Sequence, residues 1–273
     1  MMRTARGPRQ GITGRAGARI VALLVSLLLP AGFSTIAAQK SKTELTVSAA
    51  ISLKDALDEL RQTYTSHHPD ASIAMNYGAS GTLQLQIEQG APVDLFISAA
   101  PKQMDALESK GLLLEGTRKD LLKNEVVLIV PKDSTLGIAG FQDLLKPTVM
   151  KVALGEPVAV PAGKYAQDVL TFYGIYAQVK AKAVLAKDVR QVLTYVQTGN
   201  VDAGIVYLTD AMSSSKVRVV AQAPPNSHAP VIYPVAVIQA SKNAAAAKDF
   251  EAFLFSAAAR AVFQKYGFGL PNP

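Results

Sequence analysis

The stretch Leu45-Thr-Val-Ser-Ala-Ala-Ile-Ser-Leu-Lys-Asp-Ala-Leu-Asp-Glu-Leu60 contains a strand followed directly by the start of a helix. Its first six residues form an apolar run that is typical of a buried strand. From residue 52 to residue 66 the apolar side chains recur at helical spacing, which predicts an amphipathic helix. Ser52 and Asp55 form a Ser-x-x-Asp pattern, which predicts that Ser52 is the N-cap of this helix. A strand covered by the next helix is the unit of an α/β fold.

The same alternation continues along the chain. We predict helices at 80–89, 102–110, 141–145, 162–173, 188–198 and 244–266, and strands at 71–77, 94–98, 125–130, 150–154, 182–185, 203–207 and 231–239. This pattern indicates an α/β protein with parallel sheets and helices on both faces, divided into two lobes. Two Pro-bounded apolar strands, 125–130 and 231–239, are the predicted crossings between the lobes. The predicted division is 39–124 with 234–273 for the first lobe and 125–233 for the second.

The first 38 residues have the pattern of a targeting segment. Five arginines and no lysine, aspartate or glutamate accompany an apolar run of ten residues from Ile20 to Leu29. That run is shorter than the roughly 20 residues that span a bilayer, which disfavours the alternative of an uncleaved anchor. Small residues follow, as a signal peptidase requires. We therefore predict that residues 1–38 are a signal peptide, cleaved near Ala37 or Ala38, and that the mature protein is exported.

Composition disfavours several other classes of protein. The formal charge of +7 comes mostly from the five N-terminal arginines, because the rest of the chain has 23 basic and 21 acidic residues. We therefore expect no nucleic-acid partner, since such proteins keep a basic stripe in their folded part. The absence of cysteine excludes disulfides, thiol nucleophiles and a lipidated N-terminal cysteine. The three histidines, His67, His68 and His228, show no ligand spacing and are predicted to lie at the surface.

Several predicted strand-to-helix turns have small, uncharged or hydroxylated centres. They are Ala49–Ser52, Gly78–Thr82 and Val160–Gly163, and a fourth turn, Lys187–Arg190, carries charges but starts a helix in the same way. Helix N-termini expose unpaired N–H groups and the positive end of the helix dipole, so several around one point bind an anion. Tyr207 ends an apolar strand, where its hydroxyl would point into the same cleft. For each turn alone, a simple N-cap is the alternative.

Enzyme patterns fit this chain less well. Gly78-Ala-Ser80-Gly81 approaches a nucleophile elbow, but Thr82 stands where that motif requires glycine. Gly163-Lys164 has no glycine at position 158, so it is not a Walker-type phosphate loop. A secreted hydrolase that uses Ser80 remains an alternative, and it would need a base beside that serine.

In these turns the chain resembles the periplasmic molybdate-binding proteins of molybdate ABC transporters. The matching segments are Thr46–Leu53, Ala79–Leu83, Gln86–Pro92, Asp94–Ala99, Val160–Tyr165, Asp188–Arg190, Gly204–Tyr207, Tyr233–Val237 and Tyr266–Phe268. The resemblance implies a type II periplasmic binding fold, in which two doubly wound α/β lobes, joined by two crossing strands, enclose a ligand cleft. It also implies a non-enzymatic monomer without a cofactor, which binds molybdate or tungstate and delivers it to a membrane permease.

Carried over residue by residue, the resemblance assigns five ligands of the anion. They are the hydroxyls of Ser52 and Ser80 in the first lobe, and the backbone N–H groups of Ala162 and Val189 with the phenol of Tyr207 in the second. These groups would contact the oxygens of molybdate and not the metal itself. Ile51 and Gly81 depart from the residues common in the family, which bears on cavity size and on selectivity over sulfate. A sulfate- or phosphate-binding protein of the same fold is the alternative. A ligand-sensing regulatory domain of this fold is disfavoured, because it would need a DNA-binding helix-turn-helix where the signal segment stands.

Overall fold

A computed structural model describes residues 42–271, so the predicted signal peptide and its cleavage site lie outside the described residues. The strands are β1 Thr43–Ala50, β2 Ala71–Gly78, β3 Leu95–Ile97, β4 Lys119–Asn124, β5 Val126–Pro131, β6 Val152–Gly155, β7 Ala183–Ala186, β8 Ala203–Tyr207, β9 Val217–Gln222 and β10 Val231–Val237. The α-helices are α1 Lys54–His67, α2 Ser80–Glu88, α3 Pro101–Glu108, α4 Pro161–Phe172, α5 Tyr176–Lys180, α6 Val189–Gln197, α7 Leu208–Met212, α8 Ala244–Leu254 and α9 Ala257–Lys265. Short 3-10 turns occupy Ile51–Leu53, Phe141–Leu145 and Pro225–Ser227.

The strands form two five-stranded sheets. The first has the order β2-β1-β3-β10-β4, and the second has the order β7-β6-β8-β5-β9. We call each sheet, with the helices that pack on it, a lobe: α1, α2, α3, α8 and α9 belong to the first, and α4 to α7 to the second. The predicted α/β fold of two lobes is confirmed.

Both sheets are mixed, which corrects the expectation of parallel sheets. β1, β2 and β3 are parallel to one another, whereas β10 runs antiparallel to β3 and β4. In the second sheet β6 is parallel to β7 and β8, and β5 is antiparallel to β8 and β9. Parallel neighbours need a crossover connection, usually a helix. β5 and β10 each follow a segment that joins the lobes, so no α-helical crossover precedes either strand.

The chain passes between the sheets at two places. β4 continues almost directly into β5 through Glu125, and the chain returns between β9 and β10 through residues 223–230. β5 pairs within the second sheet and β10 pairs within the first, so the joints lie just before these two predicted crossing strands. The lobe boundaries proposed from the sequence stay a prediction.

Other differences from the sequence prediction are local. The predicted helix 244–266 is two helices, because the chain turns at Phe255 and the hydroxyl of Ser256 then accepts a hydrogen bond from the N–H of Ala259 to start α9. β4 and β9 are edge strands with charged side chains, and their weak apolar pattern left them unpredicted. Within residues 42–271, the helices are too short or too polar to cross a membrane.

Two glycines fix the start of α4 against the end of β6. A Cβ atom on Gly163 would lie 2.2 Å from the carbonyl oxygen of Gly155, and a Cβ on Gly155 would lie 2.6 Å from a methyl group of Val160. Both distances are far below van der Waals contact, so any side chain on Gly163 would displace the helix from the strand. This contact sets the position of the Val160–Gly163 turn.

We expect Gly163→Ala to lower the free energy of unfolding by about 1–3 kcal/mol, the usual cost of overpacking. For a domain of this size that corresponds to a fall in Tm of about 2–12 °C. Gly140→Ala is the matched control, because no atom lies within 4 Å of a Cβ at that position. Calorimetry on the two variants checks the expectation, and an equal Tm for both would refute it.

Candidate functional site

All five residues assigned from the sequence line one small cavity. The cavity lies between the lobes, and the region in which the centre of a water-sized sphere can be placed measures about 10 Å³. Sites for drug-sized organic ligands are about 300–1,000 Å³, so this space is far too small for such a ligand. The remaining lining residues are small or apolar and carry no charge: Ala50, Ile51, Gly78, Ala79, Ala99, Val160 and Pro161. The cavity therefore offers hydrogen-bond donors without a formal positive charge.

The donors come from the starts of helices. Ser80 is the first residue of α2, Ala162 is the second residue of α4, and Val189 is the first residue of α6. N–H groups in the first turn of a helix have no acceptor within that helix, and they lie at the positive end of its dipole. The side chain of Asp188 caps α6 by accepting a hydrogen bond of 2.8 Å from the N–H of Gln191. Three helix N-termini thus border the cavity, two of them in the second lobe.

The hydroxyl of Ser80 is held in place by a backbone group. Its oxygen accepts a hydrogen bond of 2.9 Å from the N–H of Ala99, which follows β3. Because the oxygen acts as the acceptor in that bond, the hydroxyl proton stays available. Ser80 is buried and lines the cavity, so this proton is a donor for a bound group.

Ser52 is not the N-cap that the sequence pattern predicted. It lies in the 3-10 turn before α1, Leu53 occupies the N-cap position, and no side chain caps that helix. The Ser52 oxygen lies 2.9 Å from the hydroxyl oxygen of Tyr233 instead. The N-cap expectation failed because the extra 3-10 turn moves the helix start away from Ser52, which leaves its hydroxyl for a contact with β10.

Asn124 gives the contact between Ser52 and Tyr233 a direction. The side-chain NH₂ of Asn124 donates to the Tyr233 hydroxyl at 3.1 Å and to the Thr209 hydroxyl at 2.9 Å. An amide NH₂ only donates, so the Tyr233 oxygen accepts from Asn124. Within residues 42–271, Ser52 is then the remaining partner for the Tyr233 proton, and a Tyr233 hydroxyl that donates to Ser52 leaves the Ser52 proton for the cavity. The sequence predicts no role for Asn124 or Tyr233, because their contacts join residues more than 80 positions apart in the chain.

Tyr207 supplies an unpaired donor. Its side chain is buried at the end of β8, and its hydroxyl has no hydrogen-bond partner among residues 42–271. Burial raises the pKa of this phenol well above its ordinary value, and the nearby Tyr233 adds to the effect. The group is therefore a protonated donor at neutral pH. A buried polar group without a partner costs about 1–3 kcal/mol of stability. A ligand atom that accepts a hydrogen bond from this hydroxyl would remove that cost.

A backbone hydrogen bond joins the two lobes beside the cavity. The N–H of Gly81 in α2 donates to the carbonyl oxygen of Ala159 in the second lobe at 2.9 Å. A Cβ atom on Gly81 would lie 2.6 Å from that oxygen and 2.8 Å from the Cα of Ala159. Only glycine allows this approach. The departure from the family noted at Gly81 thus lies at a contact between the lobes.

The other chemical features lie elsewhere. His67 and His228 contact backbone oxygens close in sequence, and His68 stacks on Tyr64. In the described part of the chain no group of three or more His, Asp or Glu side chains could hold a metal ion. A larger groove of about 820 Å³ lies between α3 and α4, and none of the five predicted residues lines it.

Comparison with known proteins places the chain in a family. Residues 45–269 match the family model described as bacterial extracellular solute-binding protein. The chain belongs to this family. The match covers both lobes and every residue of the cavity.

Individual relatives are closer still. The chain is 44% identical over 251 residues to YvgL of Bacillus subtilis, described as an ABC transporter substrate-binding lipoprotein, and the match covers 91% of this chain and 96% of the relative. It is 38% identical over 252 residues to the molybdate-binding protein ModA of Haemophilus influenzae, covering 90% and 95%. Unlike a lipoprotein, this chain has no cysteine to carry a lipid.

Among solved structures, a Clostridium difficile protein described as the substrate-binding domain of a molybdenum ABC transporter superposes with a TM-score of 0.66. It shares 47% identity, and the match covers 84% of this chain and 99% of that one. The resemblance to periplasmic molybdate-binding proteins and the type II periplasmic binding fold are thereby confirmed. The roles of the five cavity residues stay a prediction.

We expect Gly81→Ala to hold the lobes apart, because its Cβ would overlap the backbone of Ala159. Small-angle scattering would then give a larger radius of gyration than for the wild type. Thr82→Ala is the control, because Thr82 is the next residue of α2 and is exposed. An unchanged radius for Gly81→Ala would show that the contact does not limit closure.

Proposed function

We propose that the protein is an extracytoplasmic solute-binding protein that captures molybdate, and also tungstate, in the cavity between its lobes. It would deliver the anion to the permease of an ABC transporter. The proposal includes export to the periplasm after removal of residues 1–38, and action as a monomer. The molybdate-binding name of the Haemophilus influenzae relative, together with the chemistry of the cavity, supports this assignment.

The observation that carries the proposal is the unpaired hydroxyl of Tyr207. It is buried, protonated, and lines a cavity whose other donors are backbone N–H groups and the hydroxyls of Ser52 and Ser80. Donors of this kind, held by the fold before the ligand arrives, stabilise an anion without reorganising as water must. Hydrogen bonds to a charged acceptor are roughly twice as strong as neutral ones. A set of neutral donors is therefore sufficient to hold a dianion.

Selectivity would follow from size. Molybdate, tungstate and sulfate are tetrahedral dianions, but the metal–oxygen bonds are longer than those of sulfate. In a cavity with fixed donors sulfate would leave some of them unpaired, at about 1–3 kcal/mol for each buried donor. Ile51 is the largest side chain that the first lobe contributes to the cavity wall, and it limits the space on that side. A sulfate- or phosphate-binding function is the alternative, and the ligand series below distinguishes the two.

A hydrolase mechanism at Ser80 lacks its base. Within the described residues, the hydrogen-bond partner of the Ser80 oxygen is the N–H of Ala99, which cannot accept a proton. The residues that line the cavity include no histidine, lysine or carboxylate. A nucleophilic serine needs a base within hydrogen-bond reach, so the geometry favours binding over catalysis.

A thermal-shift series with molybdate, tungstate, sulfate, phosphate and chromate tests the proposal. A ligand at a hundred times its Kd adds about 2.7 kcal/mol of stability, which raises Tm by roughly 5–11 °C for a domain of this size. We expect this shift with molybdate and tungstate. A shift with sulfate or phosphate alone would keep the anion site and overturn its ligand.

Tyr207→Phe separates binding from stability. Because the hydroxyl has no partner among the described residues, its loss should leave Tm of the ligand-free protein unchanged or higher. We expect the affinity for molybdate, measured by calorimetry, to fall about 10- to 100-fold, the value of one charge-assisted hydrogen bond of about 1.5–3 kcal/mol.

Ser80→Ala and His228→Ala complete this set. Ser80→Ala should weaken binding more than tenfold, and it should also lower Tm, because the N–H of Ala99 loses its acceptor. His228→Ala is the control, since His228 does not line the cavity. Unchanged affinity in Tyr207→Phe and Ser80→Ala would refute the proposed ligand set.

A further inference from the structure

Arg190 joins the two lobes by an ion pair at the edge of the cavity. One of its terminal nitrogens lies 2.7 Å from a carboxylate oxygen of Asp55 in α1, and its Nε lies 2.7 Å from Oδ1 of Asp210 in α7. The other terminal nitrogen donates to the hydroxyl of Ser213 at 3.0 Å. A charged residue in the first turn of a helix usually lies on a solvated face, but the side chain of Arg190 is mostly buried between α6, α1 and α7.

The two carboxylates differ in position. Asp210 is in the second lobe with Arg190 and is fully buried, whereas Asp55 is in the first lobe and 39% exposed. The Asp210 contact lies within one lobe, whereas the Asp55 contact joins the two lobes. Arg190 is therefore held ready by one lobe for a partner on the other.

The surroundings explain why this charge pair lies beside a cavity for anions. Burial raises the pKa of the Asp210 carboxyl to about 6, and the Arg190 guanidinium opposes that rise and favours the ionised form. With both carboxylates ionised, the group of three carries a net negative charge, and Arg190 leaves no free positive charge for the cavity. The cluster therefore does not attract the anion electrostatically. If it contributes to anion binding, it does so by holding the lobes in position.

We propose that Arg190 is a positioning residue that clamps the closed, anion-holding state through Asp55, without contacting the anion. This inference rests on the proposed function. The clamp joins three helices that start at or next to cavity residues: α6 starts at Val189, α1 follows the turn of Ser52, and α7 follows Tyr207. When the Arg190–Asp55 ion pair forms, it holds the starts of these three helices close together beside the cavity.

Asp55→Ala tests the clamp with little effect on the fold. It removes the contact between the lobes and leaves the buried Arg190–Asp210 pair intact. We expect the affinity for molybdate to fall about five- to tenfold, because a partly exposed, charge-assisted pair is worth about 1–1.5 kcal/mol. The loss should appear as faster dissociation at a nearly unchanged association rate, since the clamp acts after the anion has entered.

Glu59→Ala is the matched control. Glu59 lies on the same helix, and its carboxylate pairs with Lys265 at 2.7 Å and accepts from the hydroxyl of Tyr266. Both partners belong to the first lobe. We expect Glu59→Ala to leave the dissociation rate of molybdate unchanged. A purely structural role for ion pairs on α1 would affect both variants alike.

A double-mutant cycle with Arg190→Met assigns the effect to the pair. Because Arg190→Met leaves Asp210 buried without its partner, its Tm is measured first, and Asp55→Ala carries the test if it does not fold. In the Arg190→Met background, Asp55→Ala should cause no further loss of affinity. Equal losses in both backgrounds would overturn the pairing.

Small-angle scattering without any anion separates this inference from the proposed function. If the ligand-free wild type is closed, the clamp predicts a larger radius of gyration for Asp55→Ala than for the wild type and for Glu59→Ala. If the ligand-free wild type is open, the clamp predicts the faster dissociation described above. If the wild type binds none of the oxyanions, the proposed function fails and the scattering result still decides the clamp. Unchanged radius and unchanged dissociation in Asp55→Ala would overturn it.

Discussion

The structure depends on hydrogen-bond donors held around a small cavity between the lobes. The starts of α2, α4 and α6 and the end of β8 meet there, and the hydroxyl of Tyr207 has no hydrogen-bond partner within residues 42–271. Unpaired buried donors are costly, so a protein retains them where a ligand supplies the acceptors. The sheets serve this arrangement, because the carboxyl ends of β1, β2, β6 and β8 lead into turns that border the cavity.

Charge is kept out of the cavity wall but not out of its surroundings. Arg190 lies close by, and Asp55 and Asp210 neutralise it, so the wall itself presents dipoles only. A free lysine or arginine would attract anions of any size. Fixed dipoles stabilise an anion whose oxygens match their positions, which ties affinity to geometry. The same arrangement makes contact between the lobes part of the site.

The residues around the cavity also determine the direction of the hydroxyl groups. The Ser80 oxygen accepts from a backbone N–H, and the Ser52 oxygen pairs with the hydroxyl of Tyr233, which itself accepts from Asn124. In both cases the oxygen is used by the protein and the proton is left for the cavity. Asn124 stands where β4 passes into β5, and it also contacts Thr209 of the second lobe. The orientation of Ser52 is thereby connected to the joint between the lobes.

The sequence by itself determined the alternation of strands and helices, the two-lobed α/β architecture and the turns that carry Ser52, Ser80, Ala162, Val189 and Tyr207. These are local properties, since apolar periodicity, glycine-ended helices and small residues at helix starts are visible within a few positions. The mixed strand directions, the Asn124–Tyr233–Ser52 chain, the Gly81–Ala159 contact and the Arg190 bridge were decided by the tertiary structure alone. Each joins atoms from distant parts of the chain, and the side chain of Arg190 reads as a solvated helix start until the other lobe lies against it. Local pattern carries no information about which distant group will supply the partner.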